Sequence, residues 1–221
     1  DDTTLYETLK GIPNVVLMAK YNFKTINNLS LVVPVRSIFP KIKQGHGLVD
    51  YSNSGIAESF QPIKKFPAFA LLIANLFLSD NESKVSNPSG LNELFNIIKD
   101  SKNIYSINEH ILIDYKKSPG HFQHFSFVDV LEGKVDLEKL KDKIVLIGIT
   151  DKYQTGSYRT PFTGKQTQGK TSTPIELQAQ IIDSLLQYRQ LVKTPKWMVS
   201  IISVLLFTLF FFFIKDKSSV K

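Results

Sequence analysis

The reading of this chain turns on Lys143-Ile-Val-Leu-Ile-Gly-Ile149, the polar stretch Thr150 to Ser172, and Thr173-Pro174-Ile175-Glu176. The first piece is a β-branched apolar run bounded by charges. It is too short for a helix and reads as a strand buried on both faces, as in parallel sheets. The loop that follows holds Arg159-Thr160-Pro161 and Gly164 to Thr171. The last piece opens a helix: Thr173 can accept from the N3 amide, Glu176 can reach back, and Pro174 fits N1, where its missing N–H costs nothing. Ile175, Ala179, Ile182 and Leu186 then fall on one stripe, widened by Ile181 and Leu185, which predicts packing on the sheet. Strand, loop and capped helix predict an α/β domain with a mixed, largely parallel sheet flanked by helices. Ligands of such sheets sit outside the carboxyl ends of the strands.

Working outward, Trp197 to Ile214 carries no charge and runs through Leu205-Leu206 and Phe210 to Phe213. As helix it would be about 27 Å long, enough for a thin bilayer core. The sequence therefore divides into a domain over 1–194, a membrane span over 195–214 with Trp197, Leu205, Phe211 and Ile214 along it, and a short tail, 215–221. Arg189, Lys193 and Lys196 on one side balance Lys215, Lys217 and Lys221 on the other, so charge does not orient the span. The net charge of +7 is scattered, without basic patches interleaved with aromatics, which argues against nucleic acid as a partner. Zero cysteines exclude disulfides and thiolate metal sites.

Upstream, Thr4 to Lys10 reads as the rear of a helix capped by Gly11, Asn14 to Ala19 as a buried strand, and Asn22 to Asn28 as turn. Leu31 to Val35 is at most an edge strand, because Pro34 cannot donate to a ladder. Gly45 to Asp50 is a tight turn entering a short strand. Ala68 to Leu78, after Pro67, is a buried helix, and Leu91, Leu94, Phe95 and Ile98 mark the apolar face of another. Asn103 to Ile107 and His110 to Tyr115 flank Asn108-Glu109 as a hairpin.

Three groups of residues could carry chemistry. Gly164-Lys-Gln-Thr-Gln-Gly-Lys-Thr171 matches the P-loop pattern letter for letter, which would make the chain a membrane-tethered NTP-binding protein. That motif needs a strand running straight into the loop and a helix starting at its Gly-Lys. Pro174 would instead fall in the first turns of such a helix, so a polar loop is the favoured reading. His110, His121 and His124 lack a carboxylate at ligand spacing, and no metal is expected. Asp50, Asp114, Asp151 and Arg159 lie at predicted strand ends or in the loop after the central strand. They are the candidate ligand-binding residues of an apolar cleft.

Taken in order, Phe127-Val-Asp-Val-Leu-Glu-Gly133, Leu140-Lys-Asp-Lys-Ile-Val-Leu-Ile-Gly148, Arg159-Thr-Pro161 and Ile175-Glu-Leu-Gln-Ala-Gln-Ile181, with the apolar run behind them, resemble the type-2 CHASE domain. Gly45-His-Gly-Leu-Val-Asp50 and Phe66-Pro-Ala-Phe-Ala70 are similar to its middle section, and Asp2 to Lys20 to its helix and "nvvla"-like strand. The likeness covers nearly all of 1–214. It implies an extracytoplasmic sensory module of bacterial cyclases, histidine kinases or Ser/Thr kinases, placed at the cell membrane with 1–195 outside and no enzyme activity or cofactor of its own. Its implied partners are the membrane, an unidentified small molecule and a second copy of the chain. Members normally open with a span and a strand that are absent here, so the expectation is a domain lacking its first strand. The long loop after Thr160-Pro161, and Thr173-Pro174 in place of a glycine, depart from the pattern where a ligand would sit.

Overall fold

The computed structural model describes residues 2–12, 14–19, 21–26, 29–34, 42–60, 67–80, 88–100, 111–116, 120–151, 157–162, 171–187 and 196–218. The chain forms two compact units, Asp1–Arg189 and Gln190–Lys221.

The first unit opens with helix α1 (Asp2–Lys10), closed by a bond from the Gly11 N–H to the Thr8 carbonyl (3.2 Å), and continues into β1 (Val16–Met18). Next comes an antiparallel hairpin of β2 (Tyr21–Ile26) and β3 (Leu29–Pro34), with Ile26 opposite Leu29. This corrects the expectation of turn at Asn22 to Asn28. Phe23 and Ile26 favour strand, and Pro34 pairs only at the ladder's end, opposite Tyr21, where a missing donor is tolerated.

β4 (Lys43–Gly45) pairs with β1 in parallel, Val16 opposite Lys43 and Met18 opposite Gly45. Immediately after it the chain locks onto the start of α2 (Phe69–Asp80). The His46 N–H donates to the Pro67 carbonyl (3.0 Å), and the Phe69 N–H donates to the His46 carbonyl (2.8 Å). A Cβ on Gly45 would lie 2.6 Å from the Phe69 nitrogen, so only glycine permits this approach. β5 (Asp50–Tyr51), β6 (Ala57–Phe60) and β7 (Ile111–Leu112) make a three-stranded antiparallel sheet. The upstream arm expected for β7's hairpin, Asn103 to Ile107, lies outside the described residues. α3 (Pro88–Asp100), the short α4 (Phe127–Leu131), a 3-10 turn (Leu137–Lys139) and α5 (Pro174–Leu186) complete the unit.

The core lies between α2 and α5. Ala70 and Ala74, one turn apart on α2, keep that face low, and Leu177, Ile181 and Leu185 of α5 are each only 1% exposed. Each such aliphatic side chain contributes about 1.5–3 kcal/mol through burial. Phe60 from β6, Leu94 from α3 and Ile113 complete the cluster. The buried line of α5 is therefore Leu177-Ile181-Leu185 with Gln178 and Ile182. Ile175, Ala179 and Leu186, placed on the stripe by spacing, are only half-buried.

Two larger expectations are corrected. The sheets are small and mostly antiparallel, with β1–β4 the parallel pair among the described residues. And Lys143 to Ile149 is not a central strand: it belongs to no ladder, and Val145, Ile147 and Ile149 are 52%, 79% and 57% exposed. The period of two survives, since Ile144 and Leu146 pack on the core while their neighbours face out. A Cβ on Gly148 would lie 2.7 Å from Ile175 Cδ1, so the segment runs close over the start of α5. A strand is made by its partners, and no described segment lies alongside this one.

The second unit contains helix α6 (Lys196–Ser218), which is continuous across the expected span. Its side chains described from Trp197 to Phe210 are exposed, and among the described residues no helix is long and apolar enough to cross a membrane.

Candidate functional site

The site is built where the two parallel strands end. β1 delivers Met18 and Ala19, the turn after β4 delivers Gly47, and the first turns of α5 deliver Pro174, Leu177 and Gln178. Tyr158, from the long loop, completes a cleft of about 290 Å³. Carboxyl ends of parallel strands facing a helix N-terminus are the usual ligand position in α/β folds.

Each wall is held by local chemistry legible in the sequence. At the head of α5 the capping box is complete. Thr173 Oγ1 accepts from the Glu176 N–H (3.4 Å), and Glu176 Oε2 accepts from the Thr173 N–H (3.1 Å). The other carboxylate oxygen of Glu176 accepts from the Gly120 N–H (2.9 Å) and lies 3.5 Å from His124 Nε2, so one side chain fixes the helix start and the 120–124 segment together. Gln178, 5% exposed, donates from Nε2 to the Gly47 carbonyl (3.4 Å), tying helix to turn across the cleft floor. The turn itself is fixed by the fully buried His46, whose Nδ1 accepts from the Leu48 N–H (3.2 Å) and so leaves the ring proton on Nε2. Tyr158 is held by a two-bond bridge to Ser172 (2.8 and 3.0 Å) and by stacking on Tyr51, ring centroids 6.2 Å apart and planes nearly parallel. Tyr115 is half-buried and packs against the core cluster. Desolvation, with a smaller effect from Tyr51, pushes its phenol well above the ordinary tyrosine range.

Among the described residues the lining carries no ionised side chain. Its polar groups are one carboxamide, one phenol and backbone, so it suits a small uncharged molecule with an apolar face. A Cβ on Gly47 would stand 2.5 Å from Met18 Sδ, so any side chain there displaces the thioether and narrows the cleft.

None of the four charged candidates lines it. Arg159 serves the scaffold: its carbonyl accepts from the Ala57 N–H (2.9 Å) and its guanidinium donates to the Ser54 carbonyl (3.3 Å). Asp114 pairs with Lys116 (3.2 Å) while its N–H donates to Ser184 Oγ (2.9 Å). Asp50 lies at the bulge of β5, and Asp151 is exposed after the Ile144–Thr150 run. Sequence reasoning missed Met18, Gly47 and Gln178. The signals available were the two glycines around His46 and a glutamine on the buried face of an amphipathic helix.

For the other motifs, His121 packs edge-on against Phe122, His110 lies outside the described residues, and among the described residues no group of three His, Cys, Asp or Glu side chains converges. Residues 164–170 of the P-loop pattern also lie outside them. The helix beyond begins at Pro174, after an extended Ser172, rather than at the Gly-Lys a phosphate loop requires.

The family model of the CHASE2 domain matches residues 1–214. No curated protein and no solved structure matches the chain. Over nearly its whole length, then, the chain belongs to the CHASE2 domain family, the extracytoplasmic sensory domains of signalling proteins, whose role is sensing rather than catalysis.

Proposed function

We propose that this chain is a membrane-anchored sensory domain of a bacterial signalling protein that takes a small uncharged ligand in the Met18–Gly47–Tyr158–Gln178 cleft. Its membrane anchor is the charge-free run Trp197 to Ile214, of which side chains are described only to Phe210, and the residues before it lie outside the cytoplasm. The observation that carries this reading is that the cleft wall includes the first turns of α5, the last described helix before α6. A ligand that favours one position of Pro174, Leu177 and Gln178 biases the segment leading to the span. The apolar character of Trp197 to Ile214 supports the anchor, and family membership supports the orientation.

The absence of cysteine makes topology easy to test. With a membrane-impermeant maleimide, Glu138→Cys is labelled in intact cells and Ser218→Cys only after permeabilisation; the reverse pattern overturns the orientation. For the cleft, uncharged small organic molecules are screened by thermal shift against the parent and Gly47→Leu. A compound that raises the parent's Tm and leaves the variant unmoved supports the site. Equal shifts in both place binding elsewhere.

A further inference from the structure

We propose that Met18 is an oxidation site for small peroxides, and that Gln178 receives the sulfoxide oxygen formed there. Met18 closes β1 with 52% of the residue exposed, and its thioether stands on the cleft wall, so an oxidant of a few atoms reaches the sulfur. The chain has two methionines and no cysteine, which leaves Met18 and Met198 as its readily oxidised sulfurs. Met18 differs from an ordinary exposed methionine in its neighbour. Met18 Sδ and Gln178 Nε2 lie 2.5 and 3.4 Å from the point that a Cβ on Gly47 would occupy, so thioether and carboxamide flank one small space that the glycine keeps open. The carboxamide nitrogen carries two N–H donors. One goes to the Gly47 carbonyl (3.4 Å), and the other can turn to an oxygen placed in that space.

In the step, a sulfur lone pair attacks one peroxide oxygen. The S–O bond forms as the O–O bond breaks, and the proton of the transferred hydroxyl passes to the departing hydroxide, which leaves as water. Sulfur loses two electrons and the peroxide gains them. A polar, chiral side chain replaces a flexible apolar one, and sulfoxide reductases return it to the thioether. Of the two epimers, one directs its oxygen into the space over Gly47, where a Gln178 N–H meets the negative charge that builds on that oxygen. The carboxamide is then shared between the sulfoxide and the Gly47 carbonyl, which loosens the tie between the turn after β4 and α5. The oxidation state of Met18 thereby reaches the helix that walls the cleft. The modification is independent of whether the cleft takes an organic ligand and of membrane orientation.

The test oxidises the full chain in detergent micelles with hydrogen peroxide. The Gly11–Lys20 tryptic peptide is then followed by mass spectrometry after treatment with each of the two epimer-specific sulfoxide reductases. Glu138→Met, 78% exposed at its side chain, supplies a reference thioether in solvent. Met18 is expected to oxidise at a rate comparable to the reference and to give one epimer in about fivefold excess, the ratio that one further hydrogen bond sets. The reference, and Met18 of the chain unfolded in guanidinium chloride, give near-equal amounts of both epimers. Gln178→Leu and the isosteric Gln178→Glu each remove the donor and bring Met18 to the equal ratio. Equal epimers in the folded parent, a bias that survives in either variant, or a Met18 left intact while the reference oxidises overturns the assignment.

Discussion

Two neighbouring apolar segments of this chain have opposite fates. Leu177, Ile181 and Leu185 of α5 are almost wholly buried, whereas Val145, Ile147 and Ile149 stand in solvent, although both segments are rich in Ile, Val and Leu. The helix satisfies its backbone internally and needs only one surface, α2, to cover its stripe. A strand satisfies its backbone through neighbours, and among the described residues only the inward side chains of 143–149, Ile144 and Leu146, pack on the core. Hydrophobicity states that a segment gains by burial. It does not state that a partner is at hand.

The comparison breaks most visibly at its buried end. Ile181→Ala removes aliphatic volume between α2 and α5 and is expected to cost about 2–5 kcal/mol in urea unfolding. A loss below about 1 kcal/mol would mean that the α2–α5 contact is not the core. Within the other segment, Leu146→Asp places a carboxylate against the core cluster and should cost about 1–3 kcal/mol, read as a shift in urea midpoint. Thr173→Ala removes the acceptor of the capping box and should cost about 1 kcal/mol while leaving the unfolding slope unchanged. Smallest of all, Ile147→Asp should change the stability of dilute chain by no more than about 0.5 kcal/mol, because the side chain is already in water. If Ile147→Asp and Leu146→Asp cost the same, the alternation drawn for this segment is wrong.

Legibility varied with how local the determinants were. The head of α5 could be read letter by letter, since Thr173, Pro174 and Glu176 act within one helical turn. The helices over Phe69–Asp80 and Pro88–Asp100 were equally plain from composition and period. The β2–β3 hairpin was missed because Asn22, Asn27 and Asn28 weigh toward turn, while pairing along the ladder outweighs them. The cleft described lies at the carboxyl ends of β1 and β4, whereas the sequence pointed to the loop after Ile149. Its lining was hidden because Met18, Gly47 and Gln178 are far apart in sequence and none is charged.

What the chain's letters determined alone are the features closed within a few residues: the capped start of α5, the amphipathic α3, the charge-free run from Trp197 to Ile214, and an ordered family signature from end to end. The tertiary structure decided which strands found partners, which face of α5 went inward, and which bonds the candidate polar residues Arg159 and Asp114 make. Those outcomes rest on contacts between distant residues, such as Gln178 with Gly47 or Arg159 with Ser54. Their free energies depend on distance and desolvation, and neither quantity is written in local sequence.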